Sequence, residues 1–271
     1  MKIGLMGAGA MGEAIVAAVT RSDPAVTAAS DVCVFDISRQ RMALLQSDYG
    51  VQAATEPAGI ADGAGFVIFA VKPQDFEKAA ASIAEKLGSA TVVSIMAGVT
   101  LSQLQNLLHT DAVVRAMPNT PAQIGEGMTG WTATPAVTET AREGVKRIFG
   151  AMGKEAFVPD EKYIDMVTGL SGSGPAYVFL FIEALTDAGV HIGLPRDIAA
   201  TMALQTVLGS ARYAENNGKH PAELRNQVTS AGGTTAEALR AFEKGAFRSV
   251  VQEAVIAAYE KSKALGEAAK K

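Results

Sequence analysis

The chain has 271 residues, 48% hydrophobic and 19% charged, with a net charge of -4. That length suits one large or two medium domains with ample core, and the mild acidity, without basic stretches or basic-aromatic interleaving, speaks against a nucleic-acid partner. One cysteine, Cys33, excludes a disulfide framework or a cysteine-based zinc site within one chain and suits a reducing cytosol. The three histidines, His109, His191 and His220, have no metal-ligand spacing.

Residues 1–19 loosely resemble a secretory signal, but Glu13 interrupts them and their glycines have a better explanation. Residues 2–6 read as a short buried strand. Gly7-Ala8-Gly9-Ala10-Met11-Gly12 follows at once, and residues 13–20 continue as an Ala/Val-rich helix. This is G-x-G-x-x-G between strand and helix, the context in which it binds a dinucleotide. The first glycine makes the turn, the second admits the pyrophosphate to the backbone, and the third lets helix pack on strand.

A second strand, Val32-Cys33-Val34-Phe35, ends at Asp36. An acid here accepts the ribose hydroxyls of NAD, whereas the following Ser38, Arg39 and Arg41 suit the 2′-phosphate of NADP. These signals conflict, and a capped turn with solvated arginines is the plain alternative. Residues 66–71 form a continuous apolar run, as expected of a parallel strand covered on both faces. Residues 74–87 have helical character, 91–95 read as strand, 101–108 as helix and 112–116 as strand. The alternation implies a doubly wound parallel sheet of the Rossmann type over residues 1–162, with ligands beyond the carboxyl ends of its strands. Three segments fall at that edge: Val71-Lys72-Pro73-Gln74, Ala97-Gly98-Val99 and Met117-Pro118-Asn119-Thr120-Pro121.

The strand pattern stops after Pro159. Residues 163–271 read as an all-helical domain, with a long apolar helix over 175–188, a second opened by Pro195 and a short one opened by Pro221. Residues 177–185 are too few to span a membrane and contain Glu183, so a soluble, cytoplasmic protein is expected. Phe247, Val250, Val251, Ala254, Val255, Ala258 and Tyr259 form a helical apolar stripe. Little sequence remains to cover so many apolar helices, which points to packing against a second copy.

Thr229-Ser230-Ala231-Gly232-Gly233-Thr234-Thr235 runs into another helix. Thr234 and Glu237 have capping-box spacing, and the free N–H groups of a first helical turn make a carboxylate or phosphate site. A loop with an ordinary N-cap is the plain alternative. The segment Gly169-Leu170-Ser171-Gly172-Ser173-Gly174-Pro175-Ala176-Tyr177-Val178 is similar to one in 3-hydroxyacid and 6-phosphogluconate dehydrogenases. There a lysine, four residues after the last glycine, serves as acid/base for an alcohol, and an asparagine positions substrate. Val178 and Ile182 stand at those positions here. A reductase lacking that lysine suits a protonated imine, which needs less proton transfer than an alcohol.

Residues 221–243 then resemble the signature of the pyrroline-5-carboxylate reductases, as do the segments after Val71, Met117 and Ser171; the resemblance runs from Ile3 to about Tyr259. It implies reduction of 1-pyrroline-5-carboxylate to L-proline, with NADPH as cofactor and NADH as an alternative. Gly7, Ala8, Gly9, Ala10, Met11 and Gly12 would hold the pyrophosphate, with Asp36, Ser38 and Arg39 near the adenosine ribose. Val71, Lys72, Pro73, Ala97, Gly98 and Asn119 would lie near the ribose and nicotinamide. Ser230, Gly232, Gly233 and Thr234 would hold the substrate carboxylate, and Thr235 would place its hydroxyl on the ring nitrogen as the catalytic residue. Glu56-Pro57 departs from the family, where many members carry an asparagine reaching the adenosine ribose. The resemblance also implies a homodimer assembled into a decamer, with the helical domain serving substrate binding and dimerisation. The rival readings are a reductase of a six-membered cyclic imino acid, a hydroxyacid dehydrogenase and a non-catalytic dinucleotide sensor.

Overall fold

The computed structural model describes residues 1–268. Eight strands form one sheet: β1 (Ile3–Met6), β2 (Val32–Phe35), β3 (Gln52–Ala53), β4 (Phe66–Phe69), β5 (Thr91–Ser94), β6 (Val113–Met117), β7 (Gly127–Ala133) and β8 (Gly153–Phe157). Their order is β3-β2-β1-β4-β5-β6-β7-β8. The pairs from β3 through β6 are parallel, β7 is antiparallel to β6, and β8 is parallel to β7. The first six strands thus have the doubly wound order 3-2-1-4-5-6. β1 and β4 are buried throughout, which is why they read as unbroken apolar runs.

Helices cover the sheet: α1 (Ala10–Arg21), α2 (Arg39–Tyr49), α3 (Phe76–Ala81), α4 (Leu101–Leu108) and α5 (Glu139–Gly150). Two apolar clusters result. One joins Leu5, Ile15, Val34, Trp131 and Phe149; the other joins Val67, Phe69, Phe76, Ile83 and Leu104. The helix expected over 74–87 is broken into α3 flanked by 3₁₀ turns at Pro73–Asp75 and Ala84–Lys86. Helix α4 coincides with its expected span and carries a full capping box from Thr100 and Gln103.

The remainder is helical: α6 (Lys162–Val167), α7 (Gly174–His191), α8 (Arg196–Asn217), α9 (Pro221–Gln227), α10 (Thr234–Lys244) and α11 (Phe247–Ala268). A π-turn, Thr168–Gly172, follows α6. The chain divides into two compact units, but at other points than residue 162. One is Met1–Ser173 together with the chain from Ala257; the other is Gly174–Ile256.

The reason lies in charge and close packing within the first unit. Arg115, 1% exposed on β6, pairs with Glu161 at 2.9 Å and Asp165 at 2.8 Å. These contacts hold α6 to the sheet. The Ser262 hydroxyl, on the last turns of α11, donates to Asp165 at 2.8 Å. A Cβ on Gly266 would stand 3.1 Å from the Gly98 carbonyl oxygen. A buried guanidinium needs such partners, because leaving it unpaired is costly.

Candidate active site

The glycine loop is built as its spacing requires. Gly7 has φ +106°, and a Cβ there would stand 2.7 Å from the Ala70 carbonyl oxygen. A Cβ on Gly12 would collide with the Gly7 carbonyl, so the third glycine seats α1 against the turn. Among the described residues, nothing lies within 4 Å of where a Gly9 Cβ would be. A ligand can therefore approach the loop backbone, and α1 begins at Ala10 without a side-chain cap. Its first-turn N–H groups face that opening with the positive end of the helix dipole.

Asp36 lies at the carboxyl end of β2 with both carboxylate oxygens engaged. One accepts from the Ala8 N–H at 2.7 Å, the other from the Ser38 N–H at 2.7 Å. Ser38 caps α2, its hydroxyl oxygen accepting from the Arg41 N–H at 3.3 Å. Arg39 is exposed at the first position of α2. Arg41 turns inward: its Nε donates to the Ala8 carbonyl at 2.8 Å and a terminal nitrogen donates to Glu13 at 2.5 Å. That bond holds the Glu13 carboxyl below the usual carboxylate range.

A cavity of about 550 Å³ opens beyond the strand ends. It brings Gly7, Gly9, Asp36, Val71 and Lys72 together, as expected from their positions. Its wall also includes Pro57, of the Glu56-Pro57 departure noted in the sequence, and Ile37, Asp75, Lys78, Ala79 and Ser82, which had not been singled out. Asp75, Lys78 and Ser82 recur at helical spacing, so the phase of α3 was the signal available. Ala97, Gly98 and Asn119 lie outside this wall, after β5 and β6. Gly98, at φ +77°, packs on Leu265 and Gly266. The Asn119 side-chain amide donates to the Ser171 carbonyl at 3.3 Å, and its oxygen accepts from the Met128 N–H at 2.9 Å. Asn119 therefore joins β7 to the π-turn, and its side chain is engaged within the protein.

The second unit carries the other group. Between α9 and α10, Gly232 has φ +68°, and a Cβ on Gly233 would collide with the Ser230 hydroxyl. The expected capping box does not form. Gly233, in extended backbone, is the N-cap and α10 has no side-chain cap bond. Thr234 stands one position inside the helix, and Glu237 pairs with Arg240 at 3.1 Å instead. The first intrahelical bonds run from the Ala236 and Glu237 N–H groups to the Gly233 carbonyl. The Thr234 and Thr235 N–H groups precede these bonds, at the positive end of the helix. Val178 lies on α7, 45% exposed, where an acid/base lysine would be needed for alcohol chemistry.

Fold and loop together define a nucleotide-dependent oxidoreductase: a doubly wound sheet with a glycine cradle, and a helical unit with an uncapped helix start. The family model for pyrroline-5-carboxylate reductase dimerisation matches residues 161–265, and that for NADP oxidoreductases dependent on coenzyme F420 matches residues 2–98. The chain belongs to the pyrroline-5-carboxylate reductase family. It is 42% identical to the pyrroline-5-carboxylate reductase of Synechocystis sp. over 98% of this chain and 99% of that protein. It is likewise 42% identical to that of Escherichia coli, over 98% of each chain. The crystal structure of Plasmodium falciparum pyrroline carboxylate reductase with NADP bound superposes with a TM-score of 0.88 at 32% identity, covering 98% of each chain. Among the described residues, no helix is long and apolar enough to cross a membrane.

Proposed function

We propose that the protein reduces 1-pyrroline-5-carboxylate to L-proline, with NADPH as cofactor and NADH as an alternative. The carrying observation is identity with named reductases along the whole chain, spanning both the glycine loop and the 229–235 loop. When bound, the cofactor supplies a hydride to the ring C=N carbon. The residues from Gly7 to Gly12 fit a pyrophosphate: the loop is open at Gly9 and the helix behind it is uncapped. Asp36, Ser38 and Arg39 hold the adenosine end. Val71, Lys72, Pro73, Ala97, Gly98 and Asn119 form the edge along which the ribose and nicotinamide lie.

The substrate carboxylate is held by Ser230, Gly232, Gly233 and Thr234, where backbone N–H groups at a helix start replace water around the anion. Thr235 directs its hydroxyl at the ring nitrogen, positioning it first and relaying a proton second. Val178 and Ile182 supply no acid or base, which supports an iminium acceptor over a carbonyl. Functionally, residues 1–162 serve the cofactor and 163–271 serve substrate and dimerisation. The exposed apolar side chains of α7 and α11 support a homodimer, and a decamer of five dimers is the further assembly we propose, in the cytoplasm.

The test is to mix the protein with 1-pyrroline-5-carboxylate and follow NADPH and NADH oxidation separately, with a six-membered cyclic imino acid in parallel. Faster consumption with the five-membered ring is expected. Consumption of neither nucleotide overturns the reading.

A further inference from the structure

The two arginines after β2 look equivalent in the sequence, yet their surroundings differ. Arg39 is exposed and makes no ion pair among the described residues. Arg41 is the centre of a closed network around one residue of the glycine loop, Ala8. The Ala8 carbonyl accepts from Arg41 Nε at 2.8 Å, while the Ala8 N–H donates to Asp36 at 2.7 Å. Both polar backbone groups of this loop residue are therefore fixed by side chains from the β2–α2 corner. Arg41 is held in turn by Glu13 on the first turn of α1, and the Tyr49 hydroxyl donates to the other Glu13 oxygen at 3.2 Å. The Arg21 guanidinium lies over the Tyr49 ring at 4.2 Å.

Location agrees with connectivity. Arg41, Glu13 and Tyr49 line a separate, polar cavity of about 230 Å³; neither they nor Arg39 line the cavity that contains Gly7, Gly9 and Asp36. Of the two arginines, Arg39 alone is left exposed, at the first position of α2, without an ion pair among the described residues. The Arg41 cation also neutralises a carboxylate that would otherwise stand uncompensated on the first turn of α1, where an anion is to bind. A planar fork that donates to a carbonyl and a carboxylate at once is a task for arginine, which lysine performs only in part.

We propose that Arg41 is a positioning residue that fixes the Ala8–Gly9 peptide through its carbonyl and shields the pyrophosphate site from Glu13, while discrimination of the 2′-phosphate falls to Arg39. This rests on the reading of the glycine loop as the dinucleotide site. The two arginines thus divide the work: Arg41 sets affinity for either nucleotide, and Arg39 sets the difference between them.

The experiment is calorimetric titration of the full-length protein with NADPH and with NADH, without substrate, for wild type, Arg39→Ala, Arg41→Met, Arg41→Lys and Glu13→Gln/Arg41→Met, each checked by its thermal midpoint. Arg41→Met is expected to weaken both nucleotides by the same factor, on the order of tenfold, as for loss of a charge-assisted hydrogen bond. Arg41→Lys should recover part of that loss, and the double variant should recover part through removal of the unpaired carboxylate. Arg39→Ala should weaken NADPH about tenfold and leave NADH within about twofold. A loss confined to NADPH in Arg41→Met, or unchanged affinities at a lowered midpoint, overturns the proposal. If the wild type binds neither nucleotide, the glycine-loop reading itself fails and the proposal with it. Where Arg41→Met does not fold, the ratio of the two affinities in Arg41→Lys decides: an unchanged ratio with both weakened supports it, a shifted ratio or unweakened binding overturns it.

Discussion

The two units bury their apolar side chains very differently. In the first, Leu5, Ile68, Trp131 and Phe149 are at most 1% exposed, and clusters of this kind lie along the sheet. In the second, Phe179, Leu180, Met202 and Val250 are 55–65% exposed or nearly so, at 62%, 65%, 56% and 57%. The side chains buried on α7 and α8 are small: Thr186, Ala199 and Ala203. One unit completes its core from its own sequence; the other leaves many large apolar side chains exposed, as expected of a surface that associates. The same hydrophobic fraction thus serves two ends, internal packing in one half and association in the other.

Paired substitutions separate these ends most strongly. Trp131→Ala should cost about 3–5 kcal/mol, as for other large-to-small changes in a core. Its thermal midpoint should fall while its sedimentation coefficient at micromolar concentration is kept. Leu180→Asp should do the reverse, reducing the sedimentation coefficient to that of a monomer. An oligomer that survives Leu180→Asp and falls apart in Trp131→Ala would break the contrast. A smaller effect belongs to chemistry. Thr235→Ala should lower kcat/KM by roughly 2 kcal/mol, about 30-fold, with nucleotide affinity and oligomeric state unchanged. Wild-type turnover would reduce Thr235 to a helix-start residue.

Much of the first unit was legible in sequence because β1 and β4 are buried on both faces and read as apolar runs, and β5 carries the β-branched residues Thr91, Val92 and Val93. Strands whose residues are not themselves apolar were not legible, even where they are buried. β7 has the sequence GMTGWTA, with small and polar residues between its two large ones. β8, at the sheet edge, contains Lys154 and Glu155. Neither carries a strand period strong enough to be seen. The glycine loop was visible because backbone geometry demands glycine at Gly7 and Gly12. Lys78 and Ser82 were not, since their place in the cavity wall depends on the phase of a six-residue helix. The pattern Thr234-x-x-Glu237 misled for a physical reason. Gly233 already supplies the extended residue before the helix, and Glu237 pairs with Arg240.

The mildest prediction concerns pH. Glu13 is held below its ordinary range by its hydrogen bond from Arg41, so its contribution to stability is present above the unfolded carboxylate pKa and is lost as pH falls through the lowered folded value. The midpoint gap between wild type and Glu13→Gln should therefore be constant from neutral pH down to about 5 and close below about 4. A gap that widens on acidification would contradict the pairing.

The bond between Ser262 and Asp165 has a consequence for the order of synthesis. Residues of the last helix complete a body whose other members were translated long before, and the whole segment Gly174–Ile256 is made in between. On the ribosome, Asp165 and the Gly98 turn wait until the whole of Gly174–Ile256 has been made, so the sheet-containing body reaches its final packing only after the other unit has been synthesised. The half that looks self-sufficient in the finished molecule is the one that must be kept waiting while it is built.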